Sequence, residues 1–138
     1  MLAETRRGAS LELPADAAFM ATARIFSSSL ARHFAANEDR VEDVKLAISE
    51  ACAAFIRTGT EATIRVEVEP GDGCLRFEVS GPPLPPIPHD DDTPATPSDF
   101  AARTGSELIR ALFEGSEIVT DGQRSTVRFA VPLGAAEG

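Results

Sequence analysis

Lysine is nearly missing from this chain of 138 residues. Of its 13 basic side chains only Lys45 is a lysine, and 22 acidic ones bring the formal charge to −9. Proteins that grip nucleic acid draw most of their affinity from neutralised phosphates, so an acidic chain without a basic patch is not expected to bind DNA or RNA directly. A basic protein partner would be steered towards it. The arginine preference suits forked ion pairs at interfaces, although a GC-rich genome explains it equally well. Long apolar runs are lacking too. None approaches the roughly 20 residues that cross a bilayer, and no apolar stretch follows Arg6 and Arg7 as a secretion signal would require. A cytoplasmic protein without membrane contact is expected. The two cysteines, Cys52 and Cys74, have no metal-ligand spacing and read as buried free thiols.

What the chain does have is the balance of a single globular domain, with 43% hydrophobic and 25% charged residues. The domain is expected over residues 10–133, with flexible ends at 1–9 and 134–138. Residues 10–13 make a short strand that Pro14 ends. A helix from Asp16 to about Phe34 presents Phe19, Ala23, Phe26 and Leu30 on one face. A second helix begins after Asn37, a natural N-cap followed by acidic Glu38 and Asp39. Its apolar face is Val41, Val44, Ile48, Cys52 and Phe55, and Gly59 stops it. Ile64, Val66 and Val68 then alternate with polar residues, as do Leu75, Phe77 and Val79 after a turn at 70–73, which predicts a β-hairpin.

Residues 81–98 hold seven of the ten prolines and the run Asp90, Asp91, Asp92. Such a stretch builds neither helix nor central strand and reads as an irregular loop. The acidic run is read as solvated rather than metal-binding. A third helix, capped by Ser98 or Asp99, runs to Phe113 with Leu108, Ile109 and Leu112 inward, and residues 117–120 and 126–131 form a second hairpin across Asp121 and Gly122. The resulting fold class is α+β, a two-layer sandwich of a mostly antiparallel sheet with three helices on one face.

Three stretches of sequence then carry a family resemblance. Residues 43–52, DVKLAISEAC, resemble the first nucleotide motif of the anti-sigma-factor serine kinases of the GHKL (histidine-kinase-like ATPase, or Bergerat) superfamily. Residues 105–113, GSELIRALF, with the hairpin after them resemble that family's closing motif, and FEVS at 77–80 stands where the strand before the adenine-binding turn belongs. The resemblance implies an anti-sigma factor, and in the family a Glu and an Asn four residues apart serve ATP as base and Mg²⁺ ligand. Here Glu50 keeps the base position but Ala54 replaces the Asn, and a methyl group cannot ligate a hard cation. The adenine-binding Asp is replaced by Ser80, and Gly81 is followed by consecutive prolines. In the phosphate-binding turn Arg103 stands in place of glycine and only Gly105 survives.

The resemblance therefore implies a bacterial stress-response regulator of pseudokinase type, without cofactor. It would sequester an alternative sigma factor and be countered by an anti-anti-sigma (STAS-type) protein. The alternative is an active serine kinase that uses Mg-ATP to phosphorylate that antagonist; a pocket remodelled for another small ligand is a third reading. The first helix of the family contacts the sigma factor near a homodimer seam. On this chain Arg24, Ile25, Ser28 and Arg32 lie opposite the expected core face, either as an ordinary solvated stripe or as the partner-binding surface. His33 is read as structural.

Overall fold

The computed structural model describes residues 8–59, 61–86 and 96–133. Strand β1 (Ala9–Pro14) leads through a single 3₁₀ turn (Ala17–Phe19) into helix α1 (Met20–His33) and then α2 (Glu38–Ile56). Strands β2 (Thr63–Gly71) and β3 (Cys74–Gly81) follow, then α3 (Pro97–Leu112), β4 (Glu117–Thr120) and β5 (Ser125–Pro132). The strands form one antiparallel sheet in the order β1-β2-β3-β5-β4. This is the α+β architecture that the hydrophobic pattern predicts.

Strand alternation decides which face the helices cover. In register, Leu11, Val66, Val79, Val127 and Ile118 make one row across all five strands. Beside it Phe77 stacks on Phe129 at 5.1 Å between ring centroids, and Phe129 stacks on Phe113 below α3 at 4.8 Å. The other face is a charged lattice. Arg65 pairs with Glu12 and Glu67, and Arg128 pairs with Glu78 and Glu117. These pairs are solvated and each contributes little, typically below about 1 kcal/mol, but they leave the apolar face as the one that must be covered.

Helix α2 does most of the covering. Asn37 caps it by accepting from the Arg40 amide at 2.9 Å, and Glu38 and Asp39 occupy its positive end. Val41, Val44, Ala47, Ile48, Ala51, Cys52 and Phe55 are all buried. That arc is wider than one stripe because α1 and α3 flank α2 while the sheet lies beneath it. Burial pushes the Cys52 thiol up to about 11, with nearby Arg24 drawing it slightly back, so Cys52 is a packing group. Cys74 is a free thiol too, but half-buried rather than buried as expected.

Four local expectations shift. The turn between β2 and β3 is only Asp72 and Gly73, because Pro70 and Gly71 still pair with Leu75 and Cys74; Gly73 takes φ +69° to close it. Helix α3 starts at Pro97, ahead of both expected caps, since proline needs no amide partner in the first turn. The first turn of the first helix is 3₁₀, with Asp16 accepting from the Ala18 amide at 2.9 Å. The last shift concerns α1 itself: its buried line is Ala23, Ser27, Ser28 and Ala31, while Phe26 and Leu30 pack at its flank and Phe19 is 38% exposed. Small side chains let α1 come close to its neighbours, so size rather than apolarity marks the inner line.

Helix α1 closes with Ala35 at φ +68°, where the Ala36 amide reaches back to the Ala31 carbonyl at 2.9 Å and the Ala35 amide to that of Arg32 at 2.9 Å. Glycine normally takes this position, since a Cβ there costs about 1–2 kcal/mol. Ala35→Gly should therefore raise stability by about 1 kcal/mol after the extra chain entropy of glycine is subtracted. The midpoint of a calorimetric melt should rise by about 3 °C; an unchanged or lower midpoint would show that the left-handed turn carries no strain.

Candidate functional site

Helices α2 and α3 diverge from the β4–β5 hairpin and leave a cavity of about 90 Å³ between them. Glu50, Ala51, Ala54 and Arg57 line it from α2, Gly105, Ser106 and Ile109 from α3, and Ile118 and Val127 from the sheet. Glu50 and Ala54 share this wall as their four-residue spacing requires. Nothing at position 54 extends beyond a methyl group. Pockets that hold a drug-sized ligand usually measure about 300–1,000 Å³, so the cavity is small for a nucleotide.

The α3 side is closed by helix geometry. Residues 103–106 lie in the second and third turns of α3, beyond the first four amides that a helix leaves free. Their amides are therefore committed inside the helix and cannot cradle a phosphate. Arg103 is half-buried in this stretch. Gly105 is buried against Glu50, and a Cβ placed on it would come 2.6 Å from Glu50 Oε1. Its lack of a side chain serves the close approach of α3 to α2.

The roof is made by Leu84, Pro85 and Pro86, the end of a segment (82–86) that has no regular secondary structure. Ser80 and Gly81 below them are the last two residues of β3 rather than a loop approaching a ligand. The buried Ser80 hydroxyl accepts from Arg124 Nη2 at 2.8 Å. Gly81 packs under the Phe55 ring, so closely that a Cβ would lie 2.7 Å from Phe55 Cδ1. The Leu84 amide donates to the buried Ser125 Oγ at 2.8 Å, and that hydroxyl also shares a 2.7 Å hydrogen bond with Thr120 Oγ1. Leu84, Pro85 and Pro86 face the cavity, and Leu84 packs against the core. Among the described residues, position 54 thus offers Mg-ATP no metal-ligating oxygen, and positions 103–106 offer no free phosphate donors. Residues 87–95, with the acidic run 90–92 and His89, lie outside the described residues.

The expected partner stripe is divided by the structure. Arg24 is half-buried and donates to Ser49 Oγ of α2 at 3.3 Å. Ser28 is buried, 6% exposed, and bonds back to the Ile25 carbonyl at 3.3 Å, which corrects its placement on the outer surface. Exposed Arg32 makes a two-pronged ion pair with Glu38 at 3.1 and 3.2 Å, which holds the Glu38 carboxyl below its ordinary value. The line Arg24, Ser28, Arg32 faces α2, because α1 has two neighbours and not the sheet alone. Ile25 is 64% exposed. His33 is exposed and meets the Phe34 ring edge-on at 4.9 Å. Arg124, Ser125 and Thr120 escape sequence reasoning: they act through strand register, and no local pattern marks them.

Solved structures share this fold. The RsbU and RsbW domains of Rv1364c from Mycobacterium tuberculosis superpose with a TM-score of 0.67 at 16% identity, over 93% of this chain and 33% of that one. This chain therefore spans about a third of that protein's length. The histidine kinase domain of a blue-light activated histidine kinase from Erythrobacter litoralis gives a TM-score of 0.52 at 17% identity, over 95% and 70%. No curated protein matches by sequence. The histidine kinase-like ATPase domain model matches residues 13–131, from the end of β1 into β5, and the chain belongs to that family.

Proposed function

We propose that this chain is a binding protein of the GHKL class, an anti-sigma factor that holds an alternative sigma factor away from RNA polymerase without using ATP. An anti-anti-sigma (STAS-type) protein releases it by competing for the same protein, so the switch is mass action between two partners. The observation that carries this reading is the roofed cavity. The first-motif resemblance at residues 43–52 points to anti-sigma regulators, and the likeness to a structure that contains an RsbW domain agrees with it. The acidic charge favours a basic partner. Homodimer formation is compatible with this scheme and not required by it. Glu50, on the cavity wall, favours a second reading: a serine kinase that phosphorylates the antagonist from Mg-ATP.

Titration calorimetry with Mg-ATP separates the two readings. No binding is expected for the wild-type protein, and Ala54→Asn alone should not restore it, since the phosphate donors stay inside α3. A dissociation constant in the micromolar range would reinstate the kinase.

The partner face is tested at Ile25. Its exposure means that Ile25→Glu should leave the melting curve within about 0.5 kcal/mol of wild type. Burying a new carboxylate in an interface should weaken sigma-factor association at least tenfold. Arg32→Ala should act more gently, and more so at low salt, as a rim charge does. Arg24→Ala is expected to touch stability as well, through its bond to Ser49. Normal binding by Ile25→Glu would remove α1 from the interface.

A further inference from the structure

Four of the five residues 82–86 are prolines, Pro82, Pro83, Pro85 and Pro86, with Leu84 at their centre, and Leu84, Pro85 and Pro86 line the cavity. Proline fixes φ in the unfolded chain as well as the folded one, so ordering this segment costs little conformational entropy. Its anchorage is specific. Ser125 holds it by accepting from the Leu84 amide at 2.8 Å, while the adjacent Arg124 donates to Ser80 at the end of β3, just before it, at 2.8 Å. Ser125 is fully buried and Thr120 satisfies its remaining capacity. Leu84 lines the cavity together with Ala51 and Ala54 of α2 and Ile109 of α3, and it packs against the core.

We propose that residues 82–86 are a built-in cover of the cavity, with Leu84 as its anchor, and that this cover clamps the middle of α3 against α2. The deep anchors of α3, Ile109 and Phe113, lie in its last turn and just beyond it, whereas Ala102, Gly105 and Ser106, nearer its middle, line the cavity together with residues of α2 and the roof. A segment tethered to the site acts at high effective concentration and needs no free ligand. Ala54 lines the same cavity with no more than a methyl group. The proposal rests on the reading that no nucleotide is held.

Amide hydrogen exchange on the full chain tests it. Leu84→Ala should speed exchange at residues 101–109 by about fivefold or more, leave residues 64–68 of β2 close to wild type, and lower the melting midpoint by about 4 °C. Leu84→Met should restore both values. Ser125→Ala, which keeps the apolar anchor and removes its hydrogen bond, should give the same pattern more weakly. Unchanged exchange in α3 for both alanine variants would overturn the proposal, as would an increase spread evenly over the chain. Wild-type affinity for Mg-ATP would instead overturn the nucleotide-free reading on which it stands, so the two failures are distinguishable.

Discussion

Helix α2 must bury three sides at once, and the rest of the structure follows from that demand. Beneath it the sheet presents rows of Val, Leu and Phe; on either side lie α1 and α3. An arc that wide cannot be filled with large residues throughout, because interiors are close-packed and tolerate few voids. Alanines at 47 and 51 therefore alternate with Val44, Ile48 and Phe55. The neighbours answer in kind. Helix α1 presents Ala23, Ser27 and Ala31, and α3 presents Gly105, each a small residue where helices come close.

The same economy shapes the cavity. A site that keeps a metal and phosphates needs backbone amides free of helix and strand, and oxygen donors pointing inward. Here the segments that would supply them are committed elsewhere. Positions 103–106 are spent on a regular helix, and Ser80 and Gly81 are spent on sheet register and on the Phe55 ring. Glu50 remains on the wall with a glycine of α3 against its carboxylate.

Much of this was legible in the sequence where local chemistry and tertiary structure agree. The five expected residues on the face of α2 are all buried, although Ala47 and Ala51 widen that face towards its other neighbours. Alternation in 64–68 and 75–79 and the Asn37 cap carried over unchanged, because each is a short-range pattern. The spacing of Glu50 and Ala54 on one wall was legible for the same reason. The inner face of α1 was not, since periodicity counts apolar residues and α1 is buried along its small ones. Nor was the clasp of Arg124 and Ser125, whose partners are about forty positions away in sequence and meet only through the pairing of β3 with β5. Leu84 read as one apolar residue in a proline loop; its role appears when a hydroxyl from another strand takes its amide.

The near absence of lysine has a chemical corollary. The charged lattice on the open face of the sheet is built with arginine on its positive side, and the single lysine, Lys45, is paired with Glu42 at 3.0 Å on α2. Acetylation acts on lysine amines and erases their charge, while a guanidinium keeps its charge at any pH a cell reaches. Only one of the 13 basic side chains is open to that erasure. The electrostatic field that this protein shows to a partner is thus written almost entirely at translation.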